Sequence, residues 1–428
     1  MTQAVRSAVR LPAGVRDFLP RAAARRRAIS DQVMAELWAW GYERIITPMF
    51  EHAEVLERGL GADARAAALR FVDPDSGDLL ALRPDITPQI ARIAATRLGD
   101  IEGPLRLCYE GAAWRAEPGA RRQREILQAG AEIIGAGSPD GDAEAMAVAA
   151  AVLAKSRIPE LRLDIGHVAL ARFALAQIAD PQQRAEIRRL LAKKDRHGTR
   201  AASAGLPDAA QKVLCALPAL YGEPDEVLAT ARALPIHADV AASFDLLAAV
   251  IARAKAAVAD PARVAISVDL GEVRGFEYYT GVRFSGYIAG AGDAILRGGR
   301  YDDLLGRYGR PGLATGFALD LEAIALAQHA CGIDPPAARR GLLITAADHG
   351  AAIALAGKVR EAGFRAATDL GAPREAEALR RYAAEVGLTH VAAIHEDGTA
   401  TVYPAAGADP DAALVATVER LMESMSCP

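Results

Sequence analysis

The sequence predicts an α+β fold: an antiparallel sheet core interrupted by a helical insertion, followed by a small α/β domain. Three observations carry this. Short apolar runs at 69–73, 79–82, 105–112 and 126–135 are separated by turn residues, as in an antiparallel meander. From about 168 to 260 the pattern turns almost wholly helical, with loops at Asp180-Pro181 and Gly222-Glu223-Pro224. Beyond Ile333-Asp334-Pro335-Pro336, strand-like and helix-like runs alternate, the signature of a largely parallel sheet with crossover helices.

The elements follow in order. Pro20 opens a helix over 20–40, in which Ile29, Val33, Met34, Leu37 and Trp40 recur at helical spacing and Gly41 supplies the stop. Arg25, Arg26 and Arg27 fall on its solvated side. Tyr42 to Pro48 reads as a strand closed by proline. Residues 143–155 form an alanine-rich helix, and Leu161-Arg162-Leu163-Asp164-Ile165 alternates as a strand does. Alternation returns at Val264, Ile266, Val268 and Leu270.

The tail predicts strands at 341–345, 364–368, 390–394 and 399–403, with helices at 349–362, 374–386 and 411–424. The expected domains are a core over 1–330, a linker over 331–340 and a C-terminal domain over 341–428.

Composition narrows the function. Of 428 residues, 24% are charged and 51% hydrophobic, with a formal net charge of −4, an ordinary globular balance that argues against a dedicated polyanion binder. The four cysteines stand singly, with no CxxC pair, which points to a reducing, cytoplasmic compartment. No signal-like stretch opens the chain, and no run approaches the roughly 20 apolar residues that cross a bilayer. The eight histidines show neither HxxxH nor HxH spacing, so no metal is expected. There is no GxxxxGK[ST] loop and no GxSxG elbow. No cofactor is expected.

Three clusters remain that can carry chemistry. In Leu82-Arg83-Pro84-Asp85-Ile86-Thr87-Pro88-Gln89 a strand ends and a helix begins. Thr87 before Pro88 makes a good helix cap; equally, the Asp85 carboxylate and Thr87 hydroxyl can point at a cationic ligand group. The second cluster runs from Trp114-Arg115-Ala116-Glu117 through a loop to Arg124 and Glu132. Its arginines, Arg115, Arg121, Arg122 and Arg124, suit either a solvated hairpin or an anion. On the strand that follows, Gln128, Gly130 and Glu132 share one face while Leu127, Ala129 and Ala131 share the other.

The third is Arg274-Gly275-Phe276-Glu277-Tyr278-Tyr279-Thr280-Gly281, with Gly298-Gly299-Arg300-Tyr301-Asp302 after it. It offers a fixed cation, a carboxylate and ring hydroxyls, or simply aromatic packing at a sheet corner. Adjacent strand residues face opposite sides, so one of Tyr278 and Tyr279 should enter a pocket.

Together these segments resemble the class II histidyl-tRNA synthetase family, beginning at Leu11-Pro12-Ala13-Gly14-Val15-Arg16-Asp17-Phe18-Leu19-Pro20 and including the dimer motif at 41–48 and the arginine motif at Trp114 to Glu117. Other segments resemble a paralogous family, the regulatory subunits of ATP phosphoribosyltransferase. They are the Leu82 to Arg92 run, Leu127-Gln128-Ala129-Gly130-Ala131-Glu132, Asp164-Ile165-Gly166-His167 and Leu217-Pro218-Ala219-Leu220-Tyr221-Gly222. The synthetases usually carry Glu at position 85 and His at 127.

The resemblance implies a class II aminoacyl-tRNA synthetase-like core that binds L-histidine. Asp85, Thr87 and Glu132 would face its amino group, with Gln128 and Arg274 near its carboxylate and Tyr279 and Tyr301 beside its imidazole. Arg115 and Tyr278 complete the implied pocket. It also implies a homodimer assembled with the short catalytic subunit of ATP phosphoribosyltransferase, no catalysis in this chain, and no nucleic-acid or membrane partner.

The chain departs from the synthetase pattern where a nucleotide would sit. Activating an amino acid with ATP needs cations on the migrating phosphates. Arg115 matches one of that family's two nucleotide arginines, but Ala323 takes the other's place and Asp320 stands where a glycine is expected. The loop between Glu117 and Arg124 is also about one residue shorter than in that pattern. From Gly341 onward there are seven Lys and Arg against twelve Asp and Glu, so 7 − 12 = −5, with only Phe364, Tyr382 and Tyr403 as aromatics. That is a poor surface for an RNA stem-loop. A histidine-responsive regulatory subunit is the expectation; a divergent synthetase or a free-standing histidine-binding protein are the alternatives, separated by adenylate formation and by partner capture.

Overall fold

Pro20 starts the first helix as its fixed φ allows, and α1 spans Pro20–Ala39, burying Ile29, Val33 and Leu37. The computed structural model describes residues 10–116, 123–257, 263–275, 278–333, 340–371, 374–397 and 399–426. Two units emerge, Met1–Pro335 and Pro336–Pro428.

In the first unit nine strands make one sheet. They are β1 (Glu43–Arg44), β5 (Leu105–Trp114), β6 (Glu125–Ile134), β7 (Leu161–His167), β8 (Tyr221–Gly222), β9 (Val264–Asp269), β10 (Val282–Ile288), β11 (Leu296–Arg300) and β12 (Ala314–Asp320). Their spatial order is β1-β5-β6-β12-β11-β10-β7-β9-β8. Only the β1–β5 and β7–β9 pairs are parallel.

A separate three-stranded sheet holds β2 (Phe50–His52), β4 (Leu79–Leu82) and β3 (Leu69–Val72) in that order. The single meander expected over 69–135 is therefore two sheets. The reason is local: Pro84 and Pro88 break the ladder after β4, and helix Thr87–Thr96 intervenes before β5. The strand expected at 42–48 shrinks to Glu43–Arg44, since little of it finds a neighbour with which to pair.

One sheet face is apolar. Ala129, Ala131, Ile133, Phe284, Phe317 and Leu319 join a core with helix Asp140–Lys155, whose buried alanines let it approach the strands closely. Helices Pro20–Ala39, Ala238–Ala257 and Leu321–Ala330 complete that layer. The other face is polar around the cavity described below, and beside it Leu107, Tyr109, Ile134 and Ala314 pack against Ile90, Ala91 and Ala94 of helix Thr87–Thr96.

Between β7 and β9 the chain runs through helices Ala169–Ala176, Pro181–Ala192, Arg196–Ala202, Asp208–Ala216, Pro224–Arg232 and Ala238–Ala257. Among the described residues the exception to the helical reading is β8, which pairs Tyr221 with Asp269 and Gly222 with Val268. Two residues are too few to show a period.

The second unit is a four-stranded sheet in the order β14-β13-β15-β16, from β13 (Gly341–Ala346), β14 (Arg365–Thr368), β15 (His390–Ile394) and β16 (Ala400–Pro404). β13 is parallel to both neighbours and β16 is antiparallel. Helices His349–Glu361, Ala376–Glu385 and Ala412–Ser426 flank it. Most of the linker expected at 331–340 lies outside the described residues. Among the described residues no helix is long and apolar enough to cross a membrane.

Candidate ligand-binding site

On the polar face of the nine-stranded sheet lies a cavity of about 920 Å³, a size usual for small-molecule sites. Asp85, Thr87, Arg115, Gln128, Glu132, Arg274, Tyr278, Tyr279 and Tyr301 all line it. These residues span five separate segments of the chain. The fold brings all nine to one place.

Glu132 lies at the floor, fully buried at 0% exposure. Its Oε1 accepts hydrogen bonds from Thr87 Oγ1 at 2.8 Å and from the Tyr109 hydroxyl at 3.1 Å, and its Oε2 accepts one from the Tyr301 hydroxyl. No cation lies within ion-pair distance of it among the described residues. Burial pushes its pKa up to about 8; the hydroxyls of Tyr301 and Thr87 oppose that shift, Asp85 reinforces it, and Tyr109 opposes it. Burial also holds the Tyr109 and Tyr301 pKa values well above the ordinary tyrosine range, so both stay neutral donors. A buried carboxylate satisfied only by neutral donors attracts a cationic ligand group.

The capping reading of Thr87 does not hold. Thr87 is the first residue of its helix, and its hydroxyl turns to Glu132 and Tyr109. Asp85 takes up the Thr87 amide instead, at 3.4 Å. Gln128 holds that carboxylate, donating from Nε2 to Asp85 Oδ1 at 3.0 Å while its Oε1 accepts from the Ile86 amide at 3.0 Å. Strand end and sheet are thereby locked together.

Both Tyr278 and Tyr279 line the cavity, against the expectation that only one would. Residues 274, 275 and 278 lie in turns and 279 and 280 in no strand, so the two-sided alternation does not apply. Their rings meet edge-on at 5.3 Å, and Tyr278 packs on Tyr301 at 5.4 Å. The Tyr278 hydroxyl is buried without a hydrogen-bond partner among the described residues. Glu277, read as the carboxylate of this motif, lies outside the described residues. Glu272 fills that position for Arg274, accepting from its Nε at 3.0 Å on the rim.

Tyr109 is the residue that sequence reading missed. Its signal is Gly130, paired with it across β5 and β6: a Cβ at Gly130 would strike the Tyr109 ring and hydroxyl. A glycine between two polar residues of a strand marks the place where another side chain lies flat.

After β12 comes the position at which the resemblance would lead one to expect a second nucleotide arginine. Ala323 is 3% exposed and packs into the apolar core. Asp320 caps the helix Leu321–Ala330, accepting from the amides of Glu322 at 2.9 Å and Ala323 at 3.0 Å. Buried Glu322 pairs with Arg16 at 3.3 Å and Arg26 at 3.6 Å. Most of the shortened loop at 117–124 lies outside the described residues.

Comparison with known proteins gives the family. The histidyl-tRNA synthetase family model matches residues 14–324. An ATP phosphoribosyltransferase regulatory subunit from Geobacter sulfurreducens is 36% identical over 425 residues, covering 97% of this chain and 96% of that one. One from Anaeromyxobacter dehalogenans is 43% identical over 321 residues, covering 73% of this chain and 89% of its own. A crystal structure of an ATP phosphoribosyltransferase regulatory subunit/histidyl-tRNA synthetase from Bacillus halodurans superposes with a TM-score of 0.77 at 29% identity, covering 90% of this chain and 98% of that one. The chain belongs to the ATP phosphoribosyltransferase regulatory subunits, built on the histidyl-tRNA synthetase fold.

Proposed function

We propose that this protein is a non-catalytic regulatory subunit that binds L-histidine in the cavity over Glu132 and passes that signal to a separate, short catalytic subunit. The partner carries the phosphoribosyl transfer of the first step of histidine biosynthesis. The protein acts in the cytoplasm as a homodimer within a hetero-oligomer. One observation carries the reading: the amino-acid half of the cavity is fully built, while the position that would bring a second nucleotide arginine holds a core alanine, Ala323.

The chemistry follows from the lining. The histidine ammonium meets Glu132 and Asp85, its carboxylate lies towards Gln128 and Arg274, and its ring lies among Tyr278, Tyr279 and Tyr301. Regulation is then linkage: histidine favours whichever arrangement of the assembly presents this pocket better, by the difference in affinity between arrangements.

The test is reconstitution. The catalytic subunit should gain activity on addition of this chain and lose it when histidine is added. Exchange of labelled pyrophosphate into ATP by this chain alone, dependent on histidine, would instead establish a synthetase. Histidine binding with no capture of a catalytic subunit would leave a free-standing binding protein.

A further inference from the structure

Within the segment 298–302, Gly298 and Tyr301 line the cavity, whereas Arg300 and Asp302 stand behind it. β11 ends at Arg300, and adjacent residues of an extended chain point to opposite faces. Tyr301 turns to the cavity, where its hydroxyl donates to Glu132 Oε2. Arg300 turns the other way, to the start of helix Asp140–Lys155.

Arg300 is 5% exposed, and its Nε, Nη1 and Nη2 are all engaged. Nε donates to Asp142 Oδ2 at 3.1 Å, and Nη2 lies 2.9 Å from Asp142 Oδ1 while donating to the Ala136 carbonyl at 3.1 Å. Nη1 donates to Asp302 Oδ1 at 3.0 Å. The same Oδ1 accepts from the Ala314 amide at 2.8 Å, and the Ala314 carbonyl accepts from the Tyr301 amide at 2.8 Å. The Asp302 amide donates to Thr280 Oγ1 at 3.0 Å, and the Thr280 amide donates to the Arg300 carbonyl at 2.7 Å. The backbone of Tyr301 is thereby fixed on both sides. A buried ion pair is a weak source of stability, because desolvation offsets the attraction. Its geometry is the stronger feature: a planar fork of donors fixes direction where an ammonium supplies only charge.

We propose that Arg300 is a positioning residue for the ligand site: clamped between Asp142 and Asp302 behind the sheet, it holds the Tyr301 hydroxyl on Glu132 and so sets how strongly that carboxylate takes a cationic ligand group. That this group is the histidine ammonium rests on the function proposed above. The Tyr301 hydroxyl favours the ionised carboxylate, against burial and Asp85. A displaced Tyr301 leaves Glu132 more protonated and the ammonium with a weaker partner. Asp85, Thr87 and Tyr109 also face Glu132, and among the described residues none of them hydrogen-bonds to Arg300.

The experiment is a double-mutant cycle on the full chain: Arg300→Lys, Tyr301→Phe and the two together, each titrated calorimetrically with L-histidine. Each single change should weaken binding about tenfold, the worth of one hydrogen bond to a charged group. The double variant should bind no more weakly than Tyr301→Phe, because Arg300 acts through that hydroxyl. Losses that multiply to about a hundredfold would mark a merely structural role and overturn the proposal.

A second readout needs no ligand: the infrared band of the protonated Glu132 carboxyl, identified by its absence from Glu132→Gln and followed against pH. Its midpoint should move to higher pH in Arg300→Lys, as in Tyr301→Phe; an unmoved midpoint in Arg300→Lys would equally overturn the proposal. His167, which faces Asp142, stays neutral across that titration because burial lowers its pKa to about 4. If the natural protein binds no histidine, the histidine reading falls while the infrared titration still decides the role of Arg300. Should Arg300→Lys not fold, Asp302→Asn, at the more exposed end of the clamp, takes its place in both measurements.

Discussion

Tyr301 donates its phenolic hydrogen to Oε2 of Glu132, although 169 positions separate the two in the chain. Two strands bridge that gap: Gly316 of β12 lies between Glu132 of β6 and Gly299 of β11, and Tyr301 follows β11 directly. Thr87 and Tyr109 complete the set of donors. The carboxylate is held in place before any ligand arrives.

Glu132→Gln should keep the fold and weaken histidine binding by about one to two orders of magnitude, the range for a lost charge-assisted hydrogen bond. Calorimetry on the variant is the check. Unchanged affinity would remove Glu132 from the site.

The pH dependence has a definite sign. The folded-state value of about 8 lies above the ordinary 4.5, so the folded protein holds the Glu132 proton through that window while the unfolded chain has released it. The stability tied to this group is complete below the lower value and is lost as pH rises through the upper one. Melting temperature should therefore fall less steeply from weakly acidic to weakly basic pH in Glu132→Gln than in the natural protein.

Histidine binding near neutral pH should release a proton, because the ligand ammonium favours the ionised carboxylate. Calorimetry in buffers of different ionisation enthalpy reads this directly. No proton release would mean that Glu132 does not meet the ammonium.

Gly316→Ala should destabilise the first unit by about 1–3 kcal/mol, the usual cost of overpacking. Its Cβ would strike the Glu132 carboxylate and the Ala131 carbonyl. Chemical denaturation measures the loss, and histidine affinity should drop with it.

Ala323→Arg should not restore ATP chemistry. The side chain would begin in the apolar core beside a capped helix start, so it should cost about 1–3 kcal/mol and yield no pyrophosphate exchange. Exchange assays with a thermal melt separate the two effects. Recovered exchange would show that this alanine alone silences the site.

Much of the fold was legible in the chain because local rules decide it. Pro20 starts a helix, alternation marks β5 and β6, and alternating elements mark the second unit's sheet. The same alternation put Gln128 and Glu132 on one face and Ala129 and Ala131 on the other. What it missed were segments whose role depends on a distant neighbour: the strand Phe50–His52, the two-residue β8, and Tyr109, known only by the glycine it covers.

The amino-acid sequence by itself determined the polar residues available for a zwitterionic ligand, the missing cation at Ala323, and the membership that both imply. Only tertiary structure decided where Thr87 points, that both adjacent tyrosines face one cavity, and that Tyr109 joins the donors around Glu132. The physical reason is range. Backbone propensity and side-chain parity act over a few residues, whereas hydrogen-bond partners, burial and charge compensation are set by strands that meet only once the sheet has formed.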